Sequence, residues 1–295
     1  MKLLAIGLVF SILNSFSQTL SKEIFVDGVK REYIVYVPKS FDRSKKNPMV
    51  LAFHGGGGTA KHSLAFFGFN EVADTAGFLV VYPNGLRKGW NDGRQIKKHT
   101  HNDVGFIRQL IEQLKSDYPI DEKRVFATGI SNGGFFSFTL GLKLSDQIKA
   151  IAPVCATIGL DIFNDYRPEN SFSCLLINGT DDPLVPYNGG TVGGKFLKRG
   201  QCTPTDATLA RILNLNSCGQ NPKQESLPDK DKNDGCTAEK FIYNCKQGLE
   251  VQLIKITGGG HTWPGGKQYL GKRLIGNVCR DFSANIEIWN FFRQL

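Results

Sequence analysis

Arg124-Val125-Phe126-Ala127-Thr128-Gly129-Ile130-Ser131-Asn132-Gly133-Gly134 decides how the rest of the chain reads. The apolar run from Arg124 to Thr128 predicts a short buried strand. It passes straight into Gly-x-Ser-x-Gly at Gly129 to Gly133, and a helix-like stretch continues to about Leu144. Strand, sharp turn and helix in direct succession hold a serine clear of a sheet's edge, because flanking glycines let the chain fold back tightly. The start of the helix adds a positive dipole end beside that serine. Ser131 is therefore the candidate nucleophile, and the N–H of Asn132, the next residue, is a candidate oxyanion donor. A serine that only caps a helix would not need a strand running directly into it.

Working outward, strand-like runs alternate with helix-like ones. Met49 to Phe53 is continuously apolar and ends in His54 and four glycines. Phe78 to Tyr82 is stopped by Pro83-Asn84-Gly85, and Ala150 to Val154, Cys174 to Ile177 and Val251 to Ile256 follow. Val104 to Tyr118 reads as an amphipathic helix with Ile107, Leu110, Ile111 and Leu114 on one face and Asn102 or Asp103 as its cap. Asn285 to Arg293 reads as a closing helix. Continuous apolar strands separated by helices predict an α/β fold, a mostly parallel central sheet covered on both faces. Arg31 to Val37 alternates with period two, which fits an antiparallel edge strand. The stretch 189–248 is rich in Gly, Asn, Lys and Cys and lacks periodicity. It is expected as a cysteine-containing, lid-like insertion over the sheet, ahead of the loop that carries His261.

Composition narrows the functional classes. The chain has 295 residues, 41% hydrophobic and 21% charged, which excludes a disordered chain, a collagen-like fibre and a coiled coil. The formal charge of +9 is spread along the chain with no long basic run, so no nucleic-acid partner is expected. Met1-Lys2, the apolar run Leu3 to Leu13 and the small polar residues up to Ser17 form a signal-peptide pattern, too short for a stable membrane anchor. The expected organisation is a signal peptide over 1–17 and a single catalytic domain over 18–295, secreted into the extracellular space or periplasm. Of the seven cysteines, Cys155 and Cys174 lie in apolar runs and read as buried thiols. Cys202, Cys218, Cys236 and Cys245 lie in the loop-rich stretch, where crosslinks help most, and their spacing leaves three pairings open. No cysteine spacing suggests zinc, and no metal is expected.

A serine hydroxyl needs a base, and the base needs an acid to hold its tautomer. Gly258-Gly259-Gly260-His261-Thr262-Trp263-Pro264-Gly265-Gly266 places His261 in a glycine-rich loop just after an apolar strand. Asp181-Asp182 also follows an apolar strand, and either aspartate suits the acid. The chain order Ser131, Asp182, His261 is that of α/β-hydrolases. His54-Gly55-Gly56-Gly57-Gly58 follows the strand Met49 to Phe53 and suits an oxyanion loop, with Gly56 as the chosen N–H donor and Gly57 second. Three weaker patterns are set aside. Gly189 to Lys195 fits GxxxxGK but lacks the following Ser or Thr and a preceding strand. His99-Thr100-His101 lacks carboxylates at metal-site spacing. Asn178-Gly179-Thr180 is a glycosylation sequon whose position at a strand end suggests turn chemistry.

Through these residues the sequence resembles the secreted serine esterases grouped with polyhydroxybutyrate depolymerases, feruloyl esterases and acetylxylan esterases. The segments that carry the resemblance are His54 to Gly57, Tyr82 to Gly85, Gly89-Trp90-Asn91-Asp92, Asn102 to Phe106, Gly129 to Gly134, Gly179 to Tyr187 and Gly258 to Gly266, spanning about Arg31 to the C-terminus. The resemblance implies an α/β-hydrolase fold, carboxylic-ester hydrolysis without a cofactor, and Asp182 over Asp181 as the acid. Asn178 stands where the family often has histidine. The resemblance also implies that Cys218 pairs with Cys245, leaving Cys202 and Cys236 as the candidate second pair.

The substrates expected are ester-bearing polysaccharides or small aryl and acyl esters, with feruloyl or acetyl groups on plant polysaccharide favoured by the lack of a separate polymer-binding module. Trp90 and Trp263, in loops near the expected mouth, are candidates to stack on a feruloyl ring or a sugar, or else to pack internally. A polyester depolymerase with the same three residues is the nearest rival and a peptidase a weaker one. A catalytically inactive hydrolase fold that binds glycans is the rival from another class.

Overall fold

The computed structural model describes residues 16–94, 96, 98–194 and 197–295. The expected signal-peptide segment therefore lies almost wholly outside the described residues. In chain order the strands are β1 Gln18–Val26, β2 Val29–Val37, β3 Asn47–Phe53, β4 Leu79–Pro83, β5 Ile120–Ile130, β6 Ala150–Val154, β7 Ser173–Gly179, β8 Gly190–Thr191, β9 Gln201–Cys202, β10 Lys223–Ser226, β11 Thr237–Asn244 and β12 Glu250–Thr257. The helices are α1 Ala60–Phe66, α2 Phe69–Ala76, α3 Asp103–Asp117, α4 Asn132–Lys143, α5 Leu160–Phe163, α6 Thr205–Leu215, α7 Lys272–Ile275 and α8 Ala284–Phe292.

Ten strands form one sheet in the order β1-β2-β4-β3-β5-β6-β7-β12-β11-β10. The six central strands from β4 to β12 are parallel, and antiparallel strands flank them on both sides. The alternation of side chains along each strand builds two cores. Met49, Leu51 and Phe53 of β3 face α3, α4 and α6, while Val50 and Ala52 face α2 and α8. Both faces are covered, so β3, β4, β6 and β7 are buried along their whole length, as parallel strands between helices must be. Among the described residues no helix is long and apolar enough to cross a membrane.

Three expectations are corrected here. The period-two strand Arg31 to Val37 is not the edge. It is β2, and a tight turn with Asp27 and Gly28 at positive φ joins it to β1, which forms the edge. The stretch 189–248 does not simply lie over the sheet. Its β10 and β11 extend the sheet beyond β12, and α6 packs into the core through Leu209, Ile212 and Leu213. Cys218 and Cys245 are disulfide-bonded, but Cys202 and Cys236 are not a pair. Cys202 lies by the carbonyl of Pro186, whereas Cys236, just ahead of β11, faces Cys279.

Candidate active site

The parallel strands β3, β5, β6, β7 and β12 end at one edge of the sheet, and the predicted residues gather there. Ser131 sits between β5 and α4 at φ 56 and ψ −121, a conformation costly for a residue with a side chain. Close packing holds it. A Cβ on Gly129 would lie 2.6 Å from the carbonyl oxygen of Phe53, and one on Gly133 would clash with that same oxygen. The end of β3 thus crosses the turn where only glycine fits. The Ser131 N–H donates to the carbonyl of Val154 at 2.9 Å, which fixes the turn to the end of β6.

The oxyanion side is built from a closed hydrogen-bond network. The Asn132 side chain accepts the Trp90 N–H at 2.8 Å and donates to the Trp90 carbonyl at 3.1 Å and to Asp92 at 2.6 Å. The Trp90 indole N–H donates to the carbonyl of His54 at 3.0 Å. The His54 Nε2 accepts the Gly85 N–H at 2.9 Å, so Nδ1 carries the proton and donates to the Gly55 carbonyl, also at 2.9 Å. Burial pulls the His54 pKa from its ordinary 6.5 to about 4, and the bond from the Gly85 N–H to Nε2, which only the neutral ring can accept, agrees with that direction, while the Gly55 bond works against it. Asp103 anchors the same loop: it accepts the Asn91 N–H at 2.7 Å and pairs with buried Arg31 at 2.6 Å. The Gly56 N–H makes no hydrogen bond among the described residues. The Gly57 N–H donates to the Lys88 carbonyl at 2.7 Å, which removes Gly57 as the second oxyanion donor, because that hydrogen is already committed. Arg199, from the stretch 189–248, reaches over this loop. A Cβ on Gly56 would lie 3.3 Å from its Nη1.

The acid and base come from two loops, after β7 and after β12. His261 Nδ1 and Asp182 Oδ2 are 2.7 Å apart, and both side chains are buried. The other oxygen of Asp182 accepts the N–H groups of Leu184 and Val185, each at 2.8 Å. Asp181 instead bonds to the hydroxyl of Thr180 and is exposed. The His261 carbonyl accepts the Tyr269 hydroxyl at 2.8 Å, and its N–H donates to the Ile275 carbonyl. The donor atoms of Cys155, Asp182 and His261 lie within 4.8 Å of one another. They are occupied with each other and with backbone: the Cys155 thiol donates to the Thr262 carbonyl at 3.2 Å, and burial pushes that thiol up, away from the thiolate a metal would need. Ser131 and Cys155 sit on adjoining strand ends, which puts the serine at the same edge as this cluster. No hydrogen bond joins the Ser131 hydroxyl to the imidazole among the described residues. Such contacts are often long before substrate binds.

Trp90 and Trp263 do not line a mouth. Trp90 is fully buried, stacks on Phe136 with centroids 5.0 Å apart, and meets Phe53 edge-on. Trp263 is 1% exposed and packs against Phe67 and Phe69. Their rings serve as internal ballast behind the loops, so stacking on substrate is excluded for both. Sequence reasoning missed His54, Asp92, Cys155 and Tyr269. For His54 and Asp92 the signal was their place in the segments His54 to Gly57 and Gly89 to Asp92. Cys155 reads from its apolar run only as a buried thiol, and no local pattern marks Tyr269. Buried Asn178 bonds to both backbone groups of Ala156, so the sequon is not a surface feature.

A central parallel sheet with a strained serine at one strand end and an Asp–His pair from two later loops defines the α/β-hydrolase class. Residues 40–210 match the phospholipase/carboxylesterase family. A putative esterase, NocK of Nocardia uniformis subsp. tsuyamanensis, is 27% identical over 276 residues, 90% of this chain and 80% of that protein. Feruloyl esterase B of Piromyces equi is 30% identical over 246 residues, 80% of this chain but 44% of that protein, so the chain spans less than half of that relative. The solved acetyl xylan esterase from Aspergillus awamori superposes with a TM-score of 0.63 at 16% identity, over 94% of this chain and 100% of that one. The chain belongs to the phospholipase/carboxylesterase family and is a carboxylic ester hydrolase of the α/β-hydrolase superfamily.

Proposed function

We propose that this chain is a secreted serine esterase that cleaves feruloyl or acetyl esters of plant polysaccharides through an acyl-enzyme, with residues 18–295 as a single catalytic domain. The observation that carries this reading is the 2.7 Å contact between His261 and Asp182 at the strand edge where Ser131 is held at positive φ. The likeness to a feruloyl esterase supports the acyl group, and the signal-peptide pattern supports export.

Ser131 Oγ attacks the ester carbonyl carbon and its proton passes to His261 Nε2. Asp182 holds the Nδ1–H, which keeps Nε2 free to accept and stabilises the imidazolium. The N–H groups of Asn132 and Gly56 bind the tetrahedral oxyanion. His261 then returns the proton to the oxygen of the departing sugar, leaving acyl-Ser131. Water, deprotonated by His261, releases the acid and restores the serine. The network through Asn132, Trp90 and His54 holds both oxyanion donors still.

Labelling by a fluorophosphonate probe, together with initial rates on methyl ferulate, acetylated xylan and hydroxybutyrate oligomers, tests the proposal. The expected result is that wild type labels, Ser131→Ala does not, and ferulate or acetyl esters are the best substrates. Wild type that fails to label points to an inactive glycan binder, and fastest turnover of hydroxybutyrate oligomers points to polyester.

A further inference from the structure

Outside the candidate site, two buried cysteines from distant parts of the chain face each other. Cys236 lies just ahead of β11 and Cys279 between α7 and α8, and both are buried. Their sulfurs and a carboxylate oxygen of Asp234 lie within 4.8 Å of one another. The backbone on both sides is fixed by carboxylates. Asp234 accepts the Cys236 N–H at 2.7 Å with one oxygen and the Arg280 N–H at 2.6 Å with the other. Asp281 accepts the N–H groups of Lys230 at 2.8 Å and Asp231 at 3.3 Å. A single carboxylate thus bridges the residue at one sulfur to the neighbour of the other, and a second ties the same two segments together.

Two chemistries suit adjacent thiols, a metal centre and a disulfide. A closed zinc site takes four donors in a tetrahedron. Here both oxygens of Asp234 and one of Asp281 are spent on backbone N–H groups, the mark of carboxylates that shape a loop. That leaves two sulfurs and one oxygen of Asp281, enough for a disulfide and one donor short of a structural zinc. The hydrogen bond with Cys236 and then burial push the Cys279 thiol up, away from the thiolate a metal would need. The chain already holds one disulfide, between Cys218 and Cys245.

We propose that Cys236 and Cys279 form a second disulfide, one that ties the segment behind the His261 loop to the sheet. In the exchange, which runs while the folding chain still exposes the pair, one cysteine thiolate attacks a disulfide donor such as oxidised glutathione, and one glutathione thiolate leaves. The second cysteine attacks the mixed disulfide and releases the other. Two electrons and two protons pass from the protein pair to the donor, and one S–S bond forms as one breaks. The segment it fixes carries the acceptors of the histidine loop: the carbonyl of Ile275 takes the His261 N–H, that of Asn277 takes the Gly260 N–H at 2.9 Å, and that of Cys279 takes the Gly265 N–H at 2.8 Å. The bond holds that wall of the site in place whatever the substrate proves to be.

The test is a peptide map of wild type produced in an oxidising compartment or refolded with oxidised and reduced glutathione, then alkylated in denaturant without reductant. The expected map shows Cys155, Cys174 and Cys202 alkylated and a crosslinked pair of peptides containing Cys236 and Cys279. Alkylation of Cys236 and Cys279 alongside an intact Cys218–Cys245 crosslink overturns the proposal. So does one equivalent of zinc whose removal by chelator exposes both thiols. As a second measurement, Cys279→Ser should melt about 5 °C below wild type without reductant, with the gap closing in dithiothreitol. A gap that stays the same in reductant means a packing effect alone and also overturns the bond. The map needs no variant, so a failure of Cys279→Ser to fold leaves the proposal testable.

Discussion

The two sides of the site reach the same sheet edge by different means. On the serine side, position is stored in backbone: Ser131 at positive φ, glycines pressed against the Phe53 carbonyl, and a tryptophan, Trp90, whose indole N–H and backbone groups are all bonded. On the histidine side, position rests on side-chain hydrogen bonds between loops, from Asp182 to His261 and from Tyr269 to the His261 carbonyl. Its tryptophan, Trp263, packs among phenylalanines, and its indole nitrogen has no partner among the described residues. A nucleophile must be rigid before substrate arrives, so strain and close contact suit it. A base that takes and returns a proton needs a fixed tautomer more than a fixed backbone. Substitutions should therefore fail differently on the two sides.

The largest effect expected is from Ser131→Ala, a loss of about 10⁶-fold in kcat with the melting temperature unchanged or raised, because a strained nucleophile is relieved of its role and not of its packing. Thermal melts beside ester kinetics check both halves. Asp182→Asn should follow, at about 10⁴-fold in kcat with little change in KM, since an amide presents the wrong hydrogen to Nδ1 and turns the imidazole to the wrong tautomer. If Asp182→Asn keeps most of its activity, the histidine side does not depend on this contact and the contrast between the sides is lost.

A third effect belongs to the serine side alone. His54 has a folded pKa of about 4 against an ordinary 6.5, so the unfolded chain binds a proton that the fold refuses between those values. Stability from this residue is complete above pH 6.5, declines as pH falls, and is gone near pH 4, a total of roughly 3 kcal/mol. Denaturant melts at pH 7, 5.5 and 4 read the decline, and NMR of the labelled imidazole reads its source. A His54 ring that titrates above pH 6 in the folded protein would remove the explanation.

The strands around the elbow were legible because buried parallel strands are short apolar runs with glycine at or just past their ends, as at Gly55 after β3, Gly129 in β5 and Gly179 in β7. Of the flanking antiparallel strands, β2 was legible from its period-two alternation, but β1, β10 and β11 were not. β1 and β10 alternate polar and half-exposed residues at the sheet's margins, and nothing local separates them from loop. Asp181 and Asp182 are equivalent by spacing and are told apart by the fold, which brings Asp182 to His261 and to the N–H groups of Leu184 and Val185. Gly56 and Gly57 are likewise equivalent until the Lys88 carbonyl takes one of their hydrogens. Cysteine pairing depends on where β11 and the last loop meet, which no spacing encodes.

The two tryptophans give the smallest and most discriminating comparison. Trp90→Phe removes the donor to the His54 carbonyl, leaves that buried oxygen unpaired, and opens space beside Phe136. The unpaired group costs about 1–3 kcal/mol and the lost packing adds about 1 kcal/mol more. Trp263→Phe also loses packing, but it deletes an N–H that bonds to nothing, so only the packing loss remains. Trp90→Phe should therefore melt several degrees lower than Trp263→Phe, at about 2–4 °C per kcal/mol for a chain of this size. Only Trp90→Phe should also lower kcat, by about tenfold, because the loop that carries Gly56 loses its brace. Equal melting temperatures for the two variants would mean that the indole of Trp263 is as well bonded as that of Trp90, and that the two sides of the site are held in the same way.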